Sequence, residues 1–341
     1  MKPINKMITA SYLSLLFSSI LASPPVFAKD PEVSIGGAVE VEYGSGEDFA
    51  GTKSSDVALA TVEVAFDAKI NDKVTAHLGF LHEEDDTAYE VDEGYITLAM
   101  GMLNIQAGQL YVPFGAYDTN VVSDPLTLEI GETRESVLMV SAEMGSLQAS
   151  LYMYNGDTME TGSDDKTDQM GARIAFVSES KSMNINIGID YINNIADSDA
   201  LTAKLSPTVE LKSYVPAQII HASLGFGGLN IIVEHLMADA FDASEIAFKG
   251  KGAEITSTNI DLGYTLNIAG MESTVGLAMQ TTEEAVALGL PEEKMLVALS
   301  MGVYENTGLS FEYANSTDYA ISDGGTGKDA TSYTVQLAVE F

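Results

Sequence analysis

The feature that most limits the folds open to this chain is a repeated series of short alternating segments. From Glu32 onward, stretches of about ten residues place apolar side chains at every second position, the period of a β-strand with one apolar face. The connections between these stretches alternate along the chain between very short and long. Seven short turns and eight long connections imply sixteen strands, with both ends of the series on the short-turn side.

The length of the connections separates two classes of β protein. Long, acidic or glycine-rich connections are predicted at Gly44–Asp56, Glu83–Ala88, Pro113–Glu135, Gly156–Thr167, Asn194–Pro216, Ala240–Ala253, Thr282–Glu293 and Thr317–Ala330. Outer-membrane barrels have short turns at one end and long loops at the other, whereas a soluble sandwich has no reason to sort its hairpins by length. We therefore predict an all-β fold, a transmembrane antiparallel up-and-down β-barrel of about 16 strands in the bacterial outer membrane. The segment Tyr89–Met100 changes phase at Asp92, Glu93 and Gly94, which predicts a β-bulge.

The last stretch of the sequence is predicted to close the barrel. Its apolar face carries five residues at every second position: Tyr333, Val335, Leu337, Val339 and Phe341. A final strand is an exposed edge unless it pairs with the first strand. The pattern also resembles the terminal signature that the barrel assembly machinery of outer membranes recognises, so we expect these five residues to be its contact. Lipid and lipopolysaccharide of the outer membrane are the other expected partners.

Composition removes several function classes. The 50 Asp and Glu against 16 Lys and Arg give a formal charge of −34, so nucleic acid is not an expected partner. Absent cysteine removes disulfides, thiolate chemistry and cysteine metal sites. Past the N-terminus no uninterrupted apolar run reaches the ~18 residues of a membrane helix, which leaves a closed barrel as the membrane-spanning element.

The N-terminus is predicted to be a cleaved secretory signal covering residues 1–28. Lys2 and Lys6 form its basic start, residues 8–22 its apolar stretch, and Val26-Phe27-Ala28 its cleavage site. A permanent membrane anchor is the alternative, but the apolar stretch is short and interrupted by serine and threonine. Residues 29–341 then form the barrel.

A sixteen-strand barrel is wide enough to enclose water, so its inward side chains are functional surface. Arg134 and Arg173 are the only arginines, and we expect both to approach the lumen and to form a local cationic spot. The third long connection, Pro113–Glu135, is partly apolar and is hard to leave in water, so we expect it to fold inward. By analogy with the third loop of sixteen-stranded general porins, the constriction residues are expected to be Asp118, Asp124, Glu129, Glu132 and Arg134, with Arg173 lining the pore. An external flap is the alternative.

A motif at the third long connection resembles a known family. The sequence Gly108-Gln109-Leu110-Tyr111-Val112-Pro113-Phe114-Gly115, followed by residues 123–135, resembles the LbtU family of siderophore porins. The resemblance covers about thirty residues closely and the whole chain loosely. It implies a barrel without the plug and energy-coupling segment of large siderophore receptors, with a ferric siderophore passing down its gradient. It supplies no ligand-contact residues.

Other chemistries have little support in the sequence. The four histidines lie on four different strands or strand ends with no motif around them, so we predict no enzyme activity and no catalytic residues. The acidic runs match no dedicated calcium loop, and we predict neither a cofactor nor a specific metal site, only loose Mg²⁺ or Ca²⁺ contact. Two other functions stay open: a general diffusion porin for small polar solutes, and a surface adhesin or structural barrel without transport.

Overall fold

The structure is a computed structural model that describes residues 31–84, 87–164, 166–180, 182–205 and 210–341. The predicted signal at residues 1–28 lies outside the described residues. Within the described ranges, no helix is long and apolar enough to cross a membrane.

Sixteen strands form one closed antiparallel barrel, as the sequence predicts. The barrel strands are β1 (Glu32–Glu47), β2 (Lys53–Lys69), β3 (Val74–His82), β4 (Glu90–Met100), β5 (Leu103–Tyr111), β6 (Arg134–Met144), β7 (Leu147–Tyr154), β8 (Gln169–Glu179), β9 (Met183–Ile192), β10 (Ala217–Phe226), β11 (Leu229–Ala238), β14 (Thr256–Ile268), β15 (Met271–Glu283), β16 (Glu293–Tyr304), β17 (Thr307–Thr317) and β18 (Asp329–Glu340). Between β11 and β14, a separate two-stranded hairpin consists of β12 (Ala247–Phe248) and β13 (Lys251–Gly252).

The last strand closes the barrel against the first. β18 pairs antiparallel with β1, from Ala38 opposite Glu340 to Glu47 opposite Thr331. The main chains of Gly37 and Phe341 exchange two hydrogen bonds of 3.0 and 3.1 Å. Within the described residues, the barrel sheet is thus closed on itself, which is what a barrel in lipid requires.

Alternation along the strands separates two faces. On β14, Ile260 and Leu262 are 50% and 40% exposed, whereas Asp261 between them is fully buried. The exposed apolar residues form the outer surface, and the polar ones point into the barrel. The outer face suits contact with lipid, and buried acids on the inner face require partners inside the barrel.

The strand boundaries confirm the seven short turns and correct two of the predicted connections. The predicted long connection Gly44–Asp56 is mostly strand, because the ladder between β1 and β2 continues to Glu47 opposite Lys53. The third connection ends earlier than predicted, since β6 begins at Arg134. The predicted bulge in Tyr89–Met100 is confirmed by the register between β3 and β4, which shifts between Leu78 and Phe80.

Three of the long connections build a hydrophobic core inside and at the rim of the barrel. They carry the helices α1 (Leu126–Gly131) and α2 (Asp199–Leu205) and the 3₁₀ turn Ile195–Asp197, and two further 3₁₀ turns, Val286–Leu288 and Ile321–Asp323, lie in later connections. Apolar residues of 112–133, 193–216 and 239–255, joined by Ala285 of a fourth connection, pack with inward side chains of β5–β7 and β9–β11 in one buried cluster. The barrel interior is therefore filled mainly on one side.

Candidate functional site

The third long connection, residues 112–133, is called loop 3 here. Its first part lies against the inner face of β9 and β11, where two buried carboxylates accept its main-chain N–H groups. Gly115 N–H donates to Asp190 at 2.8 Å, and the N–H groups of Ala116 and Tyr117 donate to Glu234 at 2.7 and 3.2 Å. The hydroxyl of Thr127 donates to the second oxygen of Glu234. Loop 3 therefore folds into the barrel.

The tip of loop 3 continues along the same wall to β14 and β17. Asp261 accepts hydrogen bonds of 2.8 Å from the Thr119 hydroxyl and from the main-chain and side-chain nitrogens of Asn120. Glu312 accepts the N–H groups of Val122 and Ser123 at 2.6 and 3.0 Å, and also the Ser123 hydroxyl. Bonds to ionised acceptors are stronger than neutral ones, so these carboxylates hold the loop firmly.

The motif before loop 3 has a local structural role. Gly108 has a φ of 140°, and a Cβ at this position would lie 2.2 Å from the carbonyl oxygen of Gly94, so a side chain does not fit. The Gln109 side chain donates to the carbonyl oxygens of Val91 and Asp92 at 3.1 and 2.7 Å. These carbonyls belong to the bulged part of β4, so the Gly-Gln pair fits β5 to the bulge and satisfies its main chain.

Both arginines are paired with acids. Arg134 contacts Asp92 at 2.6 Å and Glu90 at 2.7 Å. Arg173 lies 3.5 Å from Asp190 and donates to the carbonyl oxygen of Gly115 at 3.1 Å. The expected cationic spot is therefore not what the geometry shows, because the positive charge of each arginine is balanced by a carboxylate in contact with it.

Two adjoining cavities lie beside loop 3 inside the barrel. The larger has a volume of about 740 Å³ and is lined by α1, α2 and strands β2 to β6. The smaller, of about 410 Å³, lies against β1, β2 and β16–β18. Glu83 and Asp124 line both, so the cavities are neighbours. We call them together the acidic passage.

Carboxylates dominate the lining of the acidic passage. Eleven of them are present: Glu40, Glu42, Glu63, Glu83, Glu90, Asp92, Glu93, Asp124, Glu129, Glu132 and Asp199. Arg134 is the one basic residue among the described residues that line it. A low-dielectric wall strengthens such a field, which attracts cations and repels anions.

Helices α1 and α2 meet at the edge of this passage. The main-chain N–H of Asp199 donates to the carbonyl oxygen of Glu132 at 3.0 Å. Burial, then the nearby carboxylates of Asp199 and Asp124, raises the pKa of Glu132 from 4.5 to about 7. Glu132 therefore changes charge near neutral pH, unlike an exposed glutamate.

The predicted site residues fall into two groups. Asp124, Glu129, Glu132 and Arg134 line the larger cavity together. Asp118 lies apart, in a cavity of about 530 Å³ near the short-turn end, and Arg173 lies at the wall beside a cavity of about 210 Å³. The carboxylates that hold loop 3, Asp190, Glu234, Asp261 and Glu312, are not among the predicted site residues. The only available signal was an acid on the inward phase of an otherwise regular strand.

The described residues contain no group of three or more histidine or acidic side chains arranged to hold a metal ion. The many carboxylates of the acidic passage are therefore not arranged as a metal site.

Comparisons with known proteins identify the architecture. No protein-family model matches the chain. The outer membrane channel DcaP of Acinetobacter baumannii superposes with a TM-score of 0.64 at 13% identity, over 91% of this chain and 97% of that one. The chain has the fold of an outer-membrane porin. Pseudomonas putida OprB gives a TM-score of 0.58 at 10% identity, over 91% of this chain and 94% of that one.

Sequence relatives cover most of the chain. A UPF0422 protein of Coxiella burnetii is 25% identical over 314 residues, which cover 88% of this chain and 68% of that protein. A UPF0422 protein of Legionella pneumophila is 26% identical over 357 residues, covering 91% and 67%. The likeness to siderophore porins stays a resemblance carried by the motif around loop 3, and the absence of enzyme activity stays a prediction.

Proposed function

We propose that this porin-like barrel is an outer-membrane diffusion channel in which loop 3 narrows the lumen and the acidic passage favours cationic and neutral polar solutes. The observation that carries the proposal is the division of the lumen. Loop 3 is fixed to carboxylates of β9, β11, β14 and β17, and eleven other carboxylates line the space beside it. Conduction needs a lining that attracts a solute without holding it tightly, and carboxylates without metal-site geometry meet that need.

Within this function, we propose a ferric siderophore complex as a cargo. The support is the resemblance of residues 108–115 and 123–135 to the siderophore porins. The lining adds a condition on charge, because paired arginines leave little to attract an anionic chelate. Neutral or positively charged ferric complexes are therefore favoured, and passage follows the concentration gradient.

Ion selectivity tests the channel itself. The purified barrel in planar lipid bilayers with a KCl gradient should give a reversal potential that favours K⁺ over Cl⁻. Asp124→Asn should lower that preference, since Asp124 lines both cavities. Glu272→Gln is the matched control, because Glu272 is exposed on β15 and lines neither cavity. Anion preference in the parent would refute the proposed selectivity.

Uptake assays test the cargo. Iron-starved cells with and without the gene should be compared for uptake of a labelled cationic ferric siderophore and of a small neutral sugar. Loss of siderophore uptake alone supports the cargo, and equal loss of both supports a general diffusion porin. No loss of either leaves the adhesin or structural barrel. Location in the outer membrane, contact with lipopolysaccharide and recognition by the assembly machinery belong to the same proposal, and cell fractionation tests the location.

A further inference from the structure

We propose that Gly263 and Gly276 form a notch in the inner wall that seats Asn120 of loop 3 and thereby sets the width of the acidic passage. This inference rests on the proposed channel function. It concerns residues that position loop 3, and none of the three lines the acidic passage itself.

The two glycines lie directly opposite each other on neighbouring strands. Gly263 of β14 is the register partner of Gly276 of β15, and both strands alternate without a bulge there. Their inward-pointing positions carry no side chain, so the pair leaves a depression in the wall one residue wide on each strand. Asn120 occupies it, with its side chain against Gly263 and its carbonyl group against Gly276.

The fit leaves no room for a methyl group at either glycine. A Cβ on Gly276 would lie 2.2 Å from the Asn120 carbonyl oxygen, and one on Gly263 would lie 2.3 Å from the Asn120 side-chain oxygen. At Gly263 the three nearest atoms all belong to Asn120, and at Gly276 they belong to Asn120 and Val121. Neither glycine has a positive φ. The backbone conformation therefore does not require glycine here, and the docking of loop 3 does.

Asn120 is locked in the notch by polar contacts on both sides. Its main-chain and side-chain nitrogens donate to Asp261, and its side-chain oxygen accepts from Asn230 at 3.0 Å. The next residue, Val121, is buried in a seat of small and apolar side chains on β15–β17, which are Ala278, Leu296, Ala298 and Ala314. The tip of loop 3 thus approaches the wall as closely as its main chain allows.

The position of the tip determines the free space across the lumen. Asp124 lies four residues beyond Asn120 and lines both cavities of the acidic passage. Restoring ordinary contact of at least 3.4 Å at Gly276 requires the loop to move inward by about 1.2 Å. Because Val121, Val122 and Asp124 of loop 3 line the acidic passage, movement of the loop away from the wall reduces the passage.

Single-channel conductance of the full-length, assembled protein tests the notch. Gly276→Ala and Gly263→Ala should lower the conductance, and Gly276→Val should lower it further than Gly276→Ala. Gly308→Ala is the matched control, because Gly308 is on β17 and a Cβ there would meet nothing within 4 Å. Normal migration of unheated samples on a gel verifies that each barrel has assembled.

Removing the Asn120 side chain tests the same contact, and the expected change in conductance is opposite to that of the glycine variants. Asn120→Ala removes the side-chain bonds to Asp261 and Asn230, so loop 3 should loosen, with more frequent conductance fluctuations and a larger mean conductance. This measurement also decides the matter if the glycine variants fail to assemble. Wild-type conductance in Gly263→Ala and Gly276→Ala, or in Asn120→Ala, refutes the proposed role of the notch but not the proposed channel function. A parent protein that forms no channel refutes the proposed function, and the inference falls with it.

Discussion

Replacing Glu234 by glutamine should release the first part of loop 3 from the wall. Glu234 is 1% exposed and accepts three hydrogen bonds from loop 3, from the N–H groups of Ala116 and Tyr117 and from the Thr127 hydroxyl. A hydrogen bond to a charged group contributes about 1.5–3 kcal/mol and a neutral one about 1 kcal/mol. Glutamine keeps one acceptor oxygen and no charge, so the docking of this segment should weaken by about 3 kcal/mol.

Amide hydrogen exchange measures this loss without relying on transport. Since 1.4 kcal/mol corresponds to a factor of ten, the amides of Ala116 and Tyr117 should exchange on the order of 100-fold faster in Glu234→Gln. A peptide covering residues 113–128 reports both, and peptides from β1 and β18 should be unchanged. Glu272→Gln serves as the control, because this exposed wall glutamate makes no described hydrogen bond to loop 3. Equal exchange in parent and Glu234→Gln would refute the view that wall carboxylates hold the loop.

Three further results are expected. Lowering the pH from 8 to 6 protonates Glu132, whose pKa is raised to about 7, so the cation preference measured by reversal potential should fall; Glu132→Gln should remove this part of the change, and an unchanged pH response in that variant would contradict the assignment. Arg134→Gln leaves Glu90 and Asp92 without their cation and should increase the preference for K⁺, whereas a decrease would show that Arg134 matters through packing. Gly108→Ala should reduce the yield of assembled, heat-modifiable barrel, because a side chain collides with the Gly94 carbonyl; Gly308→Ala should assemble normally.

The strands were readable from the sequence because each has one face in contact with lipid. A lipid-facing side chain must be apolar whatever its neighbours are, so the period of two survives in the sequence of β9 or β14. The prediction for the first long connection was wrong because its glycines and acidic residues are typical of a loop. Gly44 and Gly46 nevertheless pair with β2 and β18. Local composition does not reveal how far a ladder extends beyond the membrane.

The site was only partly readable for a different reason. The apolar residues of loop 3 indicate that it folds inward, and this position predicts that Asp124, Glu129 and Glu132 line the lumen. The partners of its main chain lie 75 to 190 residues away, as between Gly115 and Asp190 or Val122 and Glu312. A single sequence carries no record of such pairs. It also cannot tell a glycine kept for a turn from one, such as Gly276, that makes room for another segment.

The shared interior core restricts where foreign peptides can be inserted for surface display. Loops 112–133, 193–216 and 239–255 contribute to one buried cluster, so an insertion in any of them opens the packing of the other two. The connection Asp48–Thr52 contributes none of the buried apolar residues described, and a Cβ on Gly51 within it would meet only a side-chain oxygen of Glu47, at 3.7 Å. For an engineer, these three long loops are structural parts of the barrel. Asp48–Thr52, the shortest connection at the long-loop end, is the place to attach a tag.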